Sequence, residues 1–212
     1  MLPNHLERLK IRTSAMNTYN FKSLHYECSN GTDLTIELPE GHIWQGGAEA
    51  ARNGRIFDAN IPTEEVYCAP QYNGVNGTVY STKPLIYQGN RIEDFHFTFK
   101  DGKIVDYDAA IGKDQLKHLI ETDEGSAYLG ELALVDHYSP ISQSDRIYFE
   151  TLFDENASCH LAIGADGDDQ ADLAGIAIGS HRFENQRDRL TSLARAVESG
   201  RVGQAEFGGG RQ

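Results

Sequence analysis

A chain of 212 residues with 39% hydrophobic and 24% charged side chains is long enough to bury a core and too mixed to be fibrous or wholly disordered. Its formal charge of −13 argues against nucleic acid, because a phosphate backbone would be repelled rather than neutralised. There is no apolar run of membrane-spanning length and no charged-then-apolar leader, so no membrane partner is expected and the expected location is cytoplasmic. The three cysteines, Cys28, Cys68 and Cys159, form no CxxC pair, which argues against a disulfide framework or a four-cysteine zinc site.

In chain order, Leu2, Leu6, Leu9 and Met16 recur at near-helical spacing and predict a helix over the first 20 residues. Two strand-like runs follow, Leu24 to Cys28 and Leu34 to Leu38. Asn30-Gly31 between them signals a hairpin, since both residues tolerate positive φ. Glycine and small residues from Gly41 to Gly54 read as an irregular loop around Trp44. Thr78 to Tyr80 and Leu85 to Tyr87 are further strands. Phe95-His96-Phe97-Thr98-Phe99 alternates with period two, and Asp101-Gly102 turns it into Lys103 to Tyr107, a second hairpin. A helix is expected over Lys113 to Glu121, buried through Leu116, Leu119 and Ile120, and a second short one led by Thr122-Asp123-Glu124. Leu132 to Val135 reads as a strand, and so does Ile147 to Leu152 beyond a Ser/Asp-rich loop. The sum is an α+β domain rich in antiparallel hairpins.

Beyond about residue 165 the composition shifts. From His181 onward there are six arginines, four acids and no lysine, a charge of +2, which leaves 13 − 28 = −15 on the rest. Gly203 to Gln212 is Gly-rich and reads as disordered.

Carboxylates at Glu64, Glu65, Glu131 and in the run Asp154-Glu155-Asn156-Ala157-Ser158-Cys159-His160 offer oxygen and imidazole donors suited to zinc, cobalt or manganese. Each also has a plainer reading. Glu64-Glu65 after Pro62-Thr63 fits a helix start, where acids favour the dipole. Glu131 beside an apolar strand needs a partner. A histidine before Leu161-Ala162-Ile163 is commonly a hydrogen-bonded core residue. Cys159 and His160 are strand neighbours that point to opposite faces, which argues against a catalytic thiol pair. Asp166 to Asp172 lacks the glycine of a calcium loop, having Ala171 there.

Five long segments carry a resemblance: SLHYECSNGTDLTIELPEGHIWQGG, ANIPTEEVYCAP, GTVYSTKPLIYQGNRIEDFHFTFKDGKIVDYDA, ETDEGSAYLGELALV and SPISQSDRIYFETLFDENASCHLAIG. From about residue 5 to 164 the chain resembles the C-terminal catalytic domain of the M29 metallo-aminopeptidases (aminopeptidase T/S-like). The resemblance implies a catalytic domain over 1–164 without the family's leading domain, then a divergent, partly disordered tail over 165–212. It also implies removal of N-terminal amino acids from peptides by a metal-activated water, with two divalent ions (Zn, Co, Mn or Mg), peptide substrates and a homodimer. Carried over by position, the metal ligands are Glu65, Glu131, Glu155 and His160, and the proton-moving carboxylate is Glu131 or Glu64. The chain departs from the family pattern at Gly167, where a tyrosine is due, and at Leu173 and Gly175, where a His-x-Asp pair precedes the Ile178-Gly179-Ser180 strand. These departures leave an alternative: an inactive truncated or frameshifted remnant, or pseudoenzyme, that keeps the fold.

Overall fold

The computed structural model describes the backbone of residues 2–58, 63–164 and 174–177, and the side chains of 5–58 and 63–164. The expected first helix is α1, Leu2–Tyr19. Its helical spacing buries Leu9 and Met16 against the core. Strands β1 (Ser23–Glu27) and β2 (Asp33–Glu37) pair antiparallel, with Tyr26 opposite Leu34. Their connection is wider than a two-residue turn: the Cys28 amide donates to the Thr32 carbonyl, and Gly31 takes φ 102. Within and beyond the segment expected to be irregular, β3 (Glu49–Ala50) and β4 (Ile56–Phe57) form a small separate ladder.

The larger sheet has six strands in the order β1-β2-β6-β8-β7, with β9 on the other side of β8. Its later members are β6 (Val75–Tyr80), β7 (Leu85–Tyr87), β8 (Asn90–Lys100) and β9 (Lys103–Ile111). The β8–β9 turn is the one expected: Asp101 and Gly102 take φ 50 and 85, the positive pair of a type I′ hairpin. Gly102 is also sterically required, because a Cβ there would lie 1.9 Å from the Tyr72 carbonyl oxygen. Period-two alternation puts Phe95, Phe97 and Phe99 in the core and His96 and Thr98 on the opposite face. Helix α2 (Lys113–Ile120) buries Leu116, Leu119 and Ile120, as its pattern predicts.

Two expected elements are replaced. No helix follows Thr122; the Asp123 carboxylate instead accepts from the Gly125 and Ser126 amides and closes a turn. Ile147 to Leu152 is not a strand. Asp154 accepts from the amides of Tyr148 and Glu150, and Glu150 caps the amide of Phe153, so the segment bends into helix α4, Thr151–Glu155. Side-chain acceptors outcompete a ladder there.

The second sheet has the order β12-β11-β10-β5, all antiparallel: β5 (Glu65–Cys68), β10 (Leu129–Val135), β11 (His160–Ile163) and β12 (Ala174–Ala177). A short helix α3 (Pro140–Gln143), capped by Ser139, links β10 towards α4. One hydrophobic core draws Leu34, Ile36, Phe97, Leu116, Leu132 and Leu161 from both sheets and α2. Each such side chain contributes about 1.5–3 kcal/mol on burial. The expected antiparallel α+β architecture is the observed one. Of the segment read as a tail, β12 adds an edge strand, and the rest lies outside the described residues.

Candidate metal centre

Strand register assembles the site. Ala133 of β10 lies opposite Tyr67 of β5 on one side and His160 of β11 on the other. Glu131 faces Ala162, and Val135 faces Glu65. Opposed residues share a sheet face, and so do alternate residues along a strand. Glu65, Glu131 and His160 therefore project from the same face of three neighbouring strands, and one ligand atom of each lies within 4.8 Å of the others. Among the described residues no other such trio of His, Cys, Asp or Glu occurs.

His160 Nε2 is 2.9 Å from Glu65 Oε2 and 3.6 Å from Glu131 Oε1. The imidazole is 1% exposed and the Glu65 side chain 7%, whereas Glu131 is 24% exposed and marks the open side of the cluster. Nδ1 of His160 points at the Ser158 carbonyl, 3.2 Å away. A carbonyl only accepts, so Nδ1 carries a proton towards it, and Nε2 is the nitrogen turned to the two carboxylates and the one that would ligate a cation. Burial alone would lower the His160 pKa. Glu131 and Glu65, with Glu155 behind them, outweigh it and hold the group well above the ordinary value. Glu155 ends α4, and burial chiefly pushes its pKa up to about 7; His160 opposes that rise while Glu65, Glu131 and Glu150 add to it. It thus lies within the field of the trio without belonging to it.

The cluster fits a divalent cation. Glu65 Oε2 is buried and, although at ion-pair distance from His160, lacks hydrogen-bond geometry to any donor. Two carboxylates converging on one imidazole in a largely buried setting form an oxygen/nitrogen donor set of the zinc, cobalt or manganese type.

The adjacent pair Glu64-Glu65 is split by the strand. Glu65 turns to the trio, and Glu64 turns to α1, with Oε2 3.9 Å from His5 Nδ1 and the charges of Arg8 and Arg12 nearby. Burial chiefly raises its pKa and those cations restrain the rise. The structure does not bring Glu64, expected as a candidate proton carrier, into the cluster. Cys159 faces away from it, donating to the Val135 carbonyl, and burial raises the pKa of this half-buried thiol, which argues against a nucleophile. Of the two departures at the expected His-x-Asp pair, Gly175 lies on β12 opposite Ala162, itself opposite Glu131, and Leu173 is outside the described residues.

Sequence reasoning passed over three residues that shape this place. Asn156 joins α4 to the start of β5, accepting from the Glu64 amide (2.7 Å) and donating to the Leu152 carbonyl (3.0 Å). Gly46 allows the 44–47 segment to run beside β5, where a Cβ would lie 2.6 Å from the Glu65 carbonyl oxygen. Tyr67 pairs through its backbone with Gln45 on the face of the trio. An asparagine inside a candidate ligand run was the available signal for the first; the others have none in local sequence.

A family model described as thermophilic metalloprotease (M29) matches residues 3–171. Aminopeptidase AmpS of Bacillus subtilis is 54% identical over 162 residues, covering 76% of this chain and 39% of that protein. Aminopeptidase T of Thermus aquaticus is 42% identical over 160 residues, again 76% of this chain and 39% of the relative. The chain therefore spans about two fifths of the length of these curated relatives. The solved structure of wild-type AmpT from Thermus thermophilus superposes with a TM-score of 0.77 at 36% identity, over 84% of this chain and 49% of that one. A dihydroxypyridine dioxygenase from Pseudomonas putida shares the fold at 17% identity and a TM-score of 0.52, over 76% of this chain and 52% of that one. With the matched segment covering most of its length and a carboxylate–histidine cluster on its second sheet, this chain belongs to the thermophilic metalloprotease (M29) family.

Proposed function

We propose that this chain carries the metal-binding part of an aminopeptidase active site and acts on the N-terminal peptide bond of peptides. The observation that supports this most is the convergence of Glu65, Glu131 and His160 from three strands of one sheet, in a chain similar to relatives named aminopeptidases. Glu65, Glu131 and His160 would hold a divalent ion, Glu155 would be a further donor from α4, and the site would take a second ion. A bound ion lowers the pKa of water and polarises a carbonyl. The chain's own groups do the rest. Ser158 fixes the His160 tautomer, and burial of Glu65 and His160 keeps the donors dry. Glu131, the exposed member, is the carboxylate able to take a proton from water and pass it to a leaving amine. Surplus negative charge at the open side suits a free α-ammonium group and so favours cleavage from the amino end. Glu64 is the weaker candidate for proton transfer because it faces α1. A cytoplasmic location and a homodimer complete the proposal; among the described residues no helix is long and apolar enough to cross a membrane.

The test is hydrolysis of a leucyl or arginyl chromogenic amide with and without added cobalt or zinc. Metal-dependent release that Glu131→Gln lowers by about 10²–10⁴ supports the reading. Release indifferent to metal and to Glu131→Gln overturns it. Gly175 favours one second reading, an inactive form that keeps the fold. This register position beside Ala162 and Glu131 offers no ligand atom where the family pattern has one. Tight cobalt binding without hydrolysis would select it.

A further inference from the structure

The segment from Asp154 to His160 contributes two candidate ligands, and between them stands a residue with no ionisable group. Asn156 is fully buried, and both ends of its amide are used, one locally within α4 and one across 92 residues to the chain before β5. Its Oδ1 accepts from the backbone N–H of Glu64, the residue before Glu65, at 2.7 Å. Its Nδ2 donates to the Leu152 carbonyl within α4 at 3.0 Å. One planar group thus ties the strand end that presents Glu65 to the helix end that presents Glu155. β5 is an edge strand whose outer side meets the 44–47 segment at the Gln45–Tyr67 bridge, and Asn156 holds the strand end just before Glu65.

We propose that Asn156 is a positioning residue that sets the separation of Glu65 and Glu155 and thereby preorganises the cation site. The inference rests on the reading of the cluster as a metal centre. Asn156 does not touch the ion; it acts through the two carboxylates. Outer partners of this kind typically change metal affinity by 10–100-fold.

The experiment is a cobalt(II) titration of the full chain followed by visible absorption, on the parent protein, Asn156→Ala and Asn156→Asp. Circular dichroism melts establish that each is folded. Asn156→Ala is expected to bind cobalt at least about tenfold more weakly, with an altered absorption band. Asn156→Asp keeps an oxygen facing the Glu64 amide and is expected to restore the parent band. Equal affinity and an identical band in Asn156→Ala overturn the inference and leave the metal centre standing. A parent protein that takes up no cobalt overturns the metal centre, and the positioning role with it. Should Asn156→Ala not fold, hydrogen exchange in the parent decides. Cobalt is expected to slow exchange of the Glu64 amide at least tenfold, because the ion and Asn156 brace the same strand end. An exchange rate indifferent to bound cobalt sinks the proposal.

Discussion

The two larger sheets of this molecule are built on opposite rules. The six-stranded sheet keeps a strict division, with Tyr26, Leu34, Ile36 and the Phe95, Phe97, Phe99 series inward and His25, Thr78, His96 and Thr98 outward. Its polar residues can meet water, so none needs a special partner. The four-stranded sheet is covered on both faces: every described residue of β11 is buried, and so are three of the four in β5. Polar groups there must find each other, and those that occur are the carboxylates and imidazole of the candidate centre. One sheet contributes mainly to folding free energy, and the other concentrates unfavourable charge in one place. Sites of chemistry are commonly made by accepting such a local cost.

The comparison makes its sharpest statement about core truncation. Phe97→Ala should cost about 3–5 kcal/mol of unfolding free energy in denaturant titration while leaving cobalt affinity of the folded protein unchanged. A matching loss of affinity would mean the two sheets are not independent in function. A smaller effect is expected from pH. In the metal-free fold Glu155, with its pKa near 7, keeps a proton that the unfolded carboxyl has released above its ordinary 4.5. The folded state then binds more protons than the unfolded one, and stability falls as pH rises from about 4.5 to 7. His160 acts in the same sense: its raised pKa contributes stability below the ordinary 6.5, which is lost as pH climbs through the folded value. Melts of metal-free protein should lose up to roughly 3 kcal/mol across the Glu155 window, and Glu155→Gln should flatten that slope. A slope unchanged in Glu155→Gln would place the titrating group elsewhere. The smallest effect belongs to the outer face of the large sheet. Thr98→Ala removes a 3.0 Å hydroxyl contact with Thr78 and should cost less than about 1 kcal/mol, with no change in metal binding.

These rules also explain what was legible in the sequence. Period-two alternation around Phe97 and the Asp101-Gly102 turn announce the large hairpin because a half-exposed sheet writes its geometry into every second residue. The strand β10 was recognisable from its apolar run, but nothing local said which carboxylates it would face. Glu65, Glu131 and His160 lie on three strands far apart in the chain, so spacing alone was uninformative and the family resemblance supplied the grouping. Spacing alone did not separate Glu64 from Glu65; the resemblance gave Glu65 as the ligand, and β5 turns Glu65 to the trio and Glu64 to α1. The misread stretches, Thr122 to Glu124 and Ile147 to Leu152, share a cause. In each an aspartate, Asp123 or Asp154, captures backbone amides two to six residues away, and periodicity cannot anticipate that.

The single tryptophan gives the metal centre an optical voice. Trp44 is 1% exposed and its backbone is gripped from both sides by the Asn17 side chain. Its next two residues run along β5, Gln45 paired with Tyr67 and Gly46 pressed against the Glu65 carbonyl. The indole thus sits two residues along the chain from the backbone contact with Glu65. Intrinsic fluorescence, undivided among competing tryptophans, therefore comes from one buried position beside β5, the strand that carries Glu65.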